Sequence, residues 1–133
     1  MQLEEYERIL PHVKVDGMVF YTPNTHCKWR CDTLYSKEPD TIEWINSMKP
    51  GDILFDVGAN VGLYSILAAK RGVKVYAFEP ESQNYAVLCK NIVLNKLDNC
   101  LAYPVCLADK IRFSTLRLTG YLAGGSCHQF GED

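Results

Sequence analysis

The sequence predicts an α/β fold built on a parallel sheet with helices on both faces, and three observations within residues 53–80 carry that prediction. A short apolar run at 53–55 is too brief for a helix and suits a strand buried on both faces. Asp56 ends the run, and Gly58, Asn60 and Gly62 follow in a tight turn, where the backbone takes positive φ and lies close to a ligand. A helix then places Leu63, Ile66, Leu67 and Lys70 at helical spacing and stops at Gly72. A second apolar strand at 73–78 ends in Glu79-Pro80. A right-handed crossover makes the two strands parallel.

The chemistry of this unit follows from its ends. The glycine turn opens a helix whose free N–H groups favour an anion. Asp56 sits at the carboxyl end of the first strand, where open α/β sheets bind ligands. Glu79 ends the neighbouring strand 23 residues later, and a carboxylate there accepts both hydroxyls of a ribose. Two cofactors compete for the site. A dinucleotide fold wants G-x-G-x-x-G, whereas the register from Gly58 gives Gly58, Asn60 and Leu63. Asp56 beside a pyrophosphate would add only repulsion. S-adenosylmethionine fits better, with its ammonium on Asp56, its carboxylate on the turn and its ribose on Glu79. A turn-capping Asp56 and a solvated Glu79 are the structural alternative.

The stretch D-V-G-A-N-V-G-L-Y-S, followed by V-Y-A-F-E-P-E-S-Q-N-Y-A-V-L-C-K-N-I-V-L-N, resembles the FkbM-type family of S-adenosylmethionine-dependent methyltransferases. K-E-P-D-T-I-E-W-I at 37–45 resembles the family's entry into the helix before the first strand, and L-A-D at 107–109 its L-S-D after the third. The resemblance covers about residues 28 to 128. It implies a Rossmann-like class I methyltransferase sheet, with S-adenosyl-L-methionine held by Asp56, Gly58, Ala59, Asn60, Gly62, Glu79 and Pro80. Asp109, just beyond the third strand, is placed where this fold class commonly meets the adenine amino group; an ordinary turn aspartate is the alternative. The family also implies O-methylation of a sugar or natural-product hydroxyl.

The 133 residues suffice for one core, and 47% hydrophobic with 23% charged residues is ordinary for a globular protein. A net charge of −2 leaves no electrostatic footprint for nucleic acid, so a small-molecule acceptor and no nucleic-acid partner are expected. No apolar run approaches a membrane span, and Glu4, Glu5 and Glu7 oppose a signal peptide, so the cytoplasm is expected. Six cysteines, at 27, 31, 89, 100, 106 and 127, lack a C-x-x-C pair. His26, Cys27 and Cys31 are therefore not read as a metal site, and Cys89, Cys100 and Cys106 read as small buried side chains.

Residues 1–36 form an N-terminal segment and 37–133 the cofactor-binding domain. A helix at 2–10 has Leu3, Tyr6, Ile9 and Leu10 on one side and closes at Pro11. Residues 13–21 suit two short strands around Gly17. Residues 22–37 read as polar turns, from which Trp29 and Arg30 could cover the cofactor pocket, although Trp29 also suits a core. Pro39 starts a helix with Ile42, Ile45 and Met48 inward, and Pro50-Gly51 breaks it. Residues 81–95 form the second crossover helix, capped by Ser82, with Tyr85, Leu88, Cys89 and Ile92 as its apolar stripe. Strands are expected at 100–107 and 111–118, and a glycine-serine loop at 120–126.

Only about four strands can be counted, against about seven in a full methyltransferase sheet. The resemblance therefore implies the N-terminal, cofactor-binding half of such an enzyme, with an exposed edge strand and apolar surface open to dimerisation. A hydroxyl acceptor needs a base, for which His26 and His128 are candidates by titration range alone, and no catalytic residue is assigned. A non-catalytic cofactor-binding or interaction fragment and an NAD(P)-dependent oxidoreductase are the competing functions.

Overall fold

The computed structural model of the chain describes residues 3–131. Its elements are α1 (Leu3–Ile9), β1 (His12–Val15), β2 (Met18–Tyr21), α2 (Thr25–Asp32), α3 (Pro39–Ser47), β3 (Ile53–Val57), α4 (Leu63–Lys70), β4 (Lys74–Phe78), α5 (Ser82–Leu94), β5 (Cys100–Tyr103), β6 (Leu116–Arg117) and β7 (Gln129–Phe130). Strands β3, β4 and β5 form a parallel sheet in that order, and β1–β2 is an antiparallel hairpin. Its turn is Asp16-Gly17, both at positive φ (46° and 77°), the backbone that a two-residue hairpin of this twist requires. Ile9 is exposed, so the apolar side expected of α1 is not buried there; the side chains of Leu3 and Tyr6, and Gln2 itself, lie outside the described residues.

The parallel architecture is as expected, but the helical cover is not on both faces. The chain steps across the sheet in one direction, β3 to β4 to β5, so two right-handed crossovers put α4 and α5 on the same face. Leu54, Val75, Ala77 and Cys100 point into that layer and are buried with Ile45 of α3 and Phe20 of β2. On the other face Phe55 and Val57 are 62% and 61% exposed, so β3 is not buried on both sides as its composition suggested. Aromatic rings ladder across this open face, Phe55 on Tyr76 and Phe78 on Tyr103, each pair 5.4 Å between centroids. Lys70, counted into the apolar stripe of α4, is exposed. The rest of α4 is enclosed almost all round between the sheet, α3 and the hairpin.

Further differences have local causes. Residues 25–32, read as polar turns, form α2, because the Asn24 side chain accepts from the Cys27 N–H and caps the helix. Glu81 rather than Ser82 caps α5, its two carboxylate oxygens accepting from the Gln83 and Asn84 amides. Strand β5 ends at Tyr103, since Pro104 has no N–H for the ladder. Of the strand expected at 111–118, only Leu116–Arg117 pairs, with Gln129–Phe130, and Ile111 and Phe113 stand fully exposed. Among the described residues, no helix is long and apolar enough to cross a membrane.

Two asparagines, Asn91 on α5 and Asn95 at its C-cap, bind these layers together. Asn91 donates to the Val61 carbonyl of the glycine turn (2.7 Å) and accepts from the Tyr21 amide of β2 (2.7 Å). Asn95 accepts from the Val19 amide and donates to its carbonyl, so side-chain amides pair the edge of β2. Asn91→Ala leaves two enclosed backbone groups unpaired, and we expect a loss of roughly 2–4 kcal/mol in urea unfolding. Ser82→Ala, which removes no cap, is expected to stay within about 0.5 kcal/mol of the parent.

Candidate functional site

The carboxyl ends of β3 and β4 meet at the glycine turn. The amides of Gly58 and Ala59 both donate to the Phe78 carbonyl (2.9 and 3.0 Å), which fastens the turn over the end of β4. Gly58 has φ 75° and nothing within 4 Å of where a Cβ would stand, so the turn leaves open space for a ligand. Gly62, at φ 89°, has the opposite constraint: a Cβ there would run into Cδ1 of Leu88 on α5. It thereby supplies the close packing that a dinucleotide turn draws from its third glycine, although Leu63 occupies that register.

Glu79 is buried, and its oxygens are divided between two backbone donors. Oε2 accepts from the Asn60 amide at 2.8 Å and Oε1 from the Glu81 amide at 2.9 Å. Each oxygen keeps acceptor capacity for a further donor. Asp56, at the end of β3, accepts from Ser65 Oγ at 2.5 Å. Its carboxyl is held above the usual carboxylate range, chiefly by burial, with the Ser65 hydrogen bonds opposing the shift. An ammonium group beside it would reverse that balance.

Two clefts flank the turn and share Val57, Gly58, Asn60 and Ser126. The first, about 350 Å³, is lined by Asp56, Ala59 and Gly62 and also by Arg30 and Lys37. The second, about 280 Å³, is lined by Glu79, Pro80, Asn84 and the 105–107 segment. A long ligand lying across the turn would meet Asp56 at one end and Glu79 near the other. Seven of the eight expected cofactor residues therefore converge. Asp109 does not: it is exposed and lines neither cleft, because β5 ends early and residues 104–115 swing outward.

Sequence reasoning placed a glycine-serine loop at 120–126 but missed that residues 123–126 strap across the site. Asn60 Nδ2 and Asn84 Nδ2 both donate to the Gly125 carbonyl (2.6 and 2.9 Å), and Asn84 Oδ1 accepts from the Gly124 amide (2.7 Å). From α2, Arg30 Nε donates to the Gly124 carbonyl (2.7 Å), while Asn24 Nδ2 and Cys27 Sγ donate to that of Ala123. Arg30 thus helps to wall the pocket, whereas Trp29 is 46% exposed and belongs to no core. Burial pushes the Cys27 and Cys31 thiols up to about 11 and about 12, so both stay protonated. Of the two candidate bases, His128 lines the second cleft and His26 packs against Trp29.

The pH dependence of Asp56 has a definite sign. A carboxyl whose folded value lies above its unfolded one contributes stability that is complete below the unfolded value, about 3.9. That contribution is lost as pH rises through the folded value. Asp56→Asn, which keeps an acceptor for Ser65, is therefore expected to melt above the parent at pH 7, with the gap closing at about pH 3. Scanning calorimetry at both values checks this, and equal melting at pH 7 would contradict the burial of the charge.

No protein-family model matches the chain. The tRNA (guanine(37)-N(1))-methyltransferase of Schizosaccharomyces pombe is 32% identical over 114 residues, covering 80% of this chain and 26% of that protein. The human protein of the same name is 43% identical over 51 residues, 38% of this chain and 10% of its own. The 31-O-demethyl-FK506 methyltransferase FkbM of Streptomyces tacrolimicus is 42% identical over 52 residues, 38% and 20% respectively. The chain thus spans about a quarter or less of these relatives. Among solved structures, M. jannaschii TYW2 in complex with AdoMet aligns with a TM-score of 0.55 and 27% identity, covering 75% of this chain and 43% of that one. The M. jannaschii tRNA m1G37 methyltransferase aligns at 0.52 and 21%, covering 74% and 30%.

These relatives correct the expected partners. Proteins named for methylating tRNA overturn the expectation of a small-molecule acceptor with no nucleic acid. A net charge averages over the whole chain and does not by itself exclude a nucleic-acid partner. The chain has the Rossmann-like fold of the S-adenosylmethionine-dependent methyltransferases.

Proposed function

We propose that the chain is the cofactor-binding part of an S-adenosylmethionine-dependent methyltransferase whose acceptor is a guanine of transfer RNA. The observation that carries the cofactor reading is Glu79. Its two oxygens are fixed by separate amides at the mouth of the second cleft, with the open Gly58 beside them. Glu79 accepts the two ribose hydroxyls, and Pro80 with the 105–107 segment gives the base an apolar wall. Asp56 takes the amino group, while Ala59, Asn60 and Gly62 shape the first cleft around the amino-acid end. When bound, the cofactor supplies an electrophilic methyl carried on a sulfonium. The chain's own contribution is to hold that group in one orientation, the positioning that dominates in such transfers.

The acceptor reading is supported by the extent of the likeness. The likeness to the S. pombe tRNA methyltransferase covers 80% of the chain and that to FkbM 38%, so the FkbM-type assignment rests on the shorter stretch. A nicotinamide cofactor is disfavoured by Asp56 at the turn and by Asn60 in the second glycine position of that fingerprint.

Glu79→Ala is expected to weaken S-adenosylhomocysteine binding by about 1.5–3 kcal/mol in calorimetric titration, the scale of charge-assisted hydrogen bonds. Equal affinity in the variant would remove Glu79 from the site. For the acceptor, labelled methyl from S-adenosylmethionine is expected in guanosine of an unmodified tRNA transcript. Label in the transcript at nucleotides other than guanosine would contradict the acceptor assignment.

A further inference from the structure

The rim of the first cleft combines an exposed aromatic ring with two cations, Arg30 and Lys37. Trp29, 46% exposed, lies one helical turn before Thr33, which lines the cleft. Lys37, another lining residue, holds its Nζ 5.7 Å from the Trp29 ring centroid, and the His26 ring lies 5.8 Å away, tilted by 49°. Next to Trp29, Arg30 is anchored through Nε to the Gly124 carbonyl. That single bond fixes the guanidinium plane and leaves its two terminal nitrogens without an ion pair among the described residues. Lys28 is paired with Asp32, whereas Lys37 is only loosely matched to Glu38 at 3.9 Å.

Nearly half of Trp29 stays open to solvent with a cation beside its ring. Trp44 is comparably exposed, at 55%, but lies on α3 with no cation over its ring among the described residues. Proteins that hold single-stranded nucleic acid combine these two elements: an aromatic face on which an unpaired base stacks and cations that meet the backbone. Lys37 suits the second role because a flexible ammonium can leave the ring for a phosphate.

We propose that Trp29, Lys37 and Arg30 form the landing site of an unpaired RNA nucleotide at the mouth of the first cleft. The base stacks on Trp29, Lys37 meets a neighbouring phosphate, and the terminal nitrogens of Arg30 face the nucleotide as it enters. The inference rests on the methyltransferase reading of the cleft and adds to it where the acceptor strand docks.

The test uses a short RNA hairpin with unpaired purines in its loop. Trp29 and Trp44 are the chain's two tryptophans, so Trp44→Phe makes Trp29 the sole reporter. We expect the hairpin to quench its fluorescence. We expect Trp29→Ala to weaken hairpin binding roughly tenfold or more, with S-adenosylhomocysteine affinity unchanged. Lys37→Gln should reduce the slope of log affinity against log salt by about 0.7. Hairpin binding without quenching, and equal in Trp29→Ala, would overturn the landing site while leaving the cofactor reading intact. Loss of S-adenosylhomocysteine binding by the parent chain would bring down the cofactor reading, and the landing site with it.

Discussion

Asn84, Asn91 and Asn95 hang three parts of the molecule on one face of α5. The spacing of seven and four residues keeps them in line on a helix, and all three are buried. Asn95 and Asn91 pair the edge of β2, Asn91 also holds the glycine turn, and Asn84 holds the strap. Each amide both donates and accepts, so a buried polar face is satisfied without a charge. Among the described residues the hairpin has no strand beyond β2, and the strap has little regular structure of its own. Both depend on these side chains for their place.

The site inherits its geometry from that arrangement. Asn60 is the point of contact: its amide orients Glu79, while its side chain and that of Asn84 share the Gly125 carbonyl. One residue at positive φ (55°) thus touches both the carboxylate that faces the second cleft and the strap. The cost of enclosing Asp56 is tolerated at the same turn, where an incoming ammonium would offset it.

Much of this was legible in the sequence where the cause is local. Residues 53–80 combine short apolar strands, glycines at forced φ and a helix stop, and these fix the strand–turn–helix–strand unit and bring Asp56, Gly58 and Glu79 together. The Asp16-Gly17 hairpin was legible for the same reason. The contacts that were not legible are distant in sequence. Nothing near Asn84 announces a partner 40 residues away at Gly124, and α2 depends on a cap at Asn24 within a segment of polar composition. The one-sided cover of the sheet follows from crossover handedness, which composition does not report. The acceptor was misread because a whole-chain net charge does not exclude a nucleic-acid partner.

The central claim, that the turn and Glu79 form a site for S-adenosylmethionine rather than a nicotinamide, is tested most directly by calorimetric titration of the purified chain with S-adenosylhomocysteine and, separately, NADH. The account predicts saturable binding of the first and none of the second. Binding of NADH alone, or of neither, would contradict it.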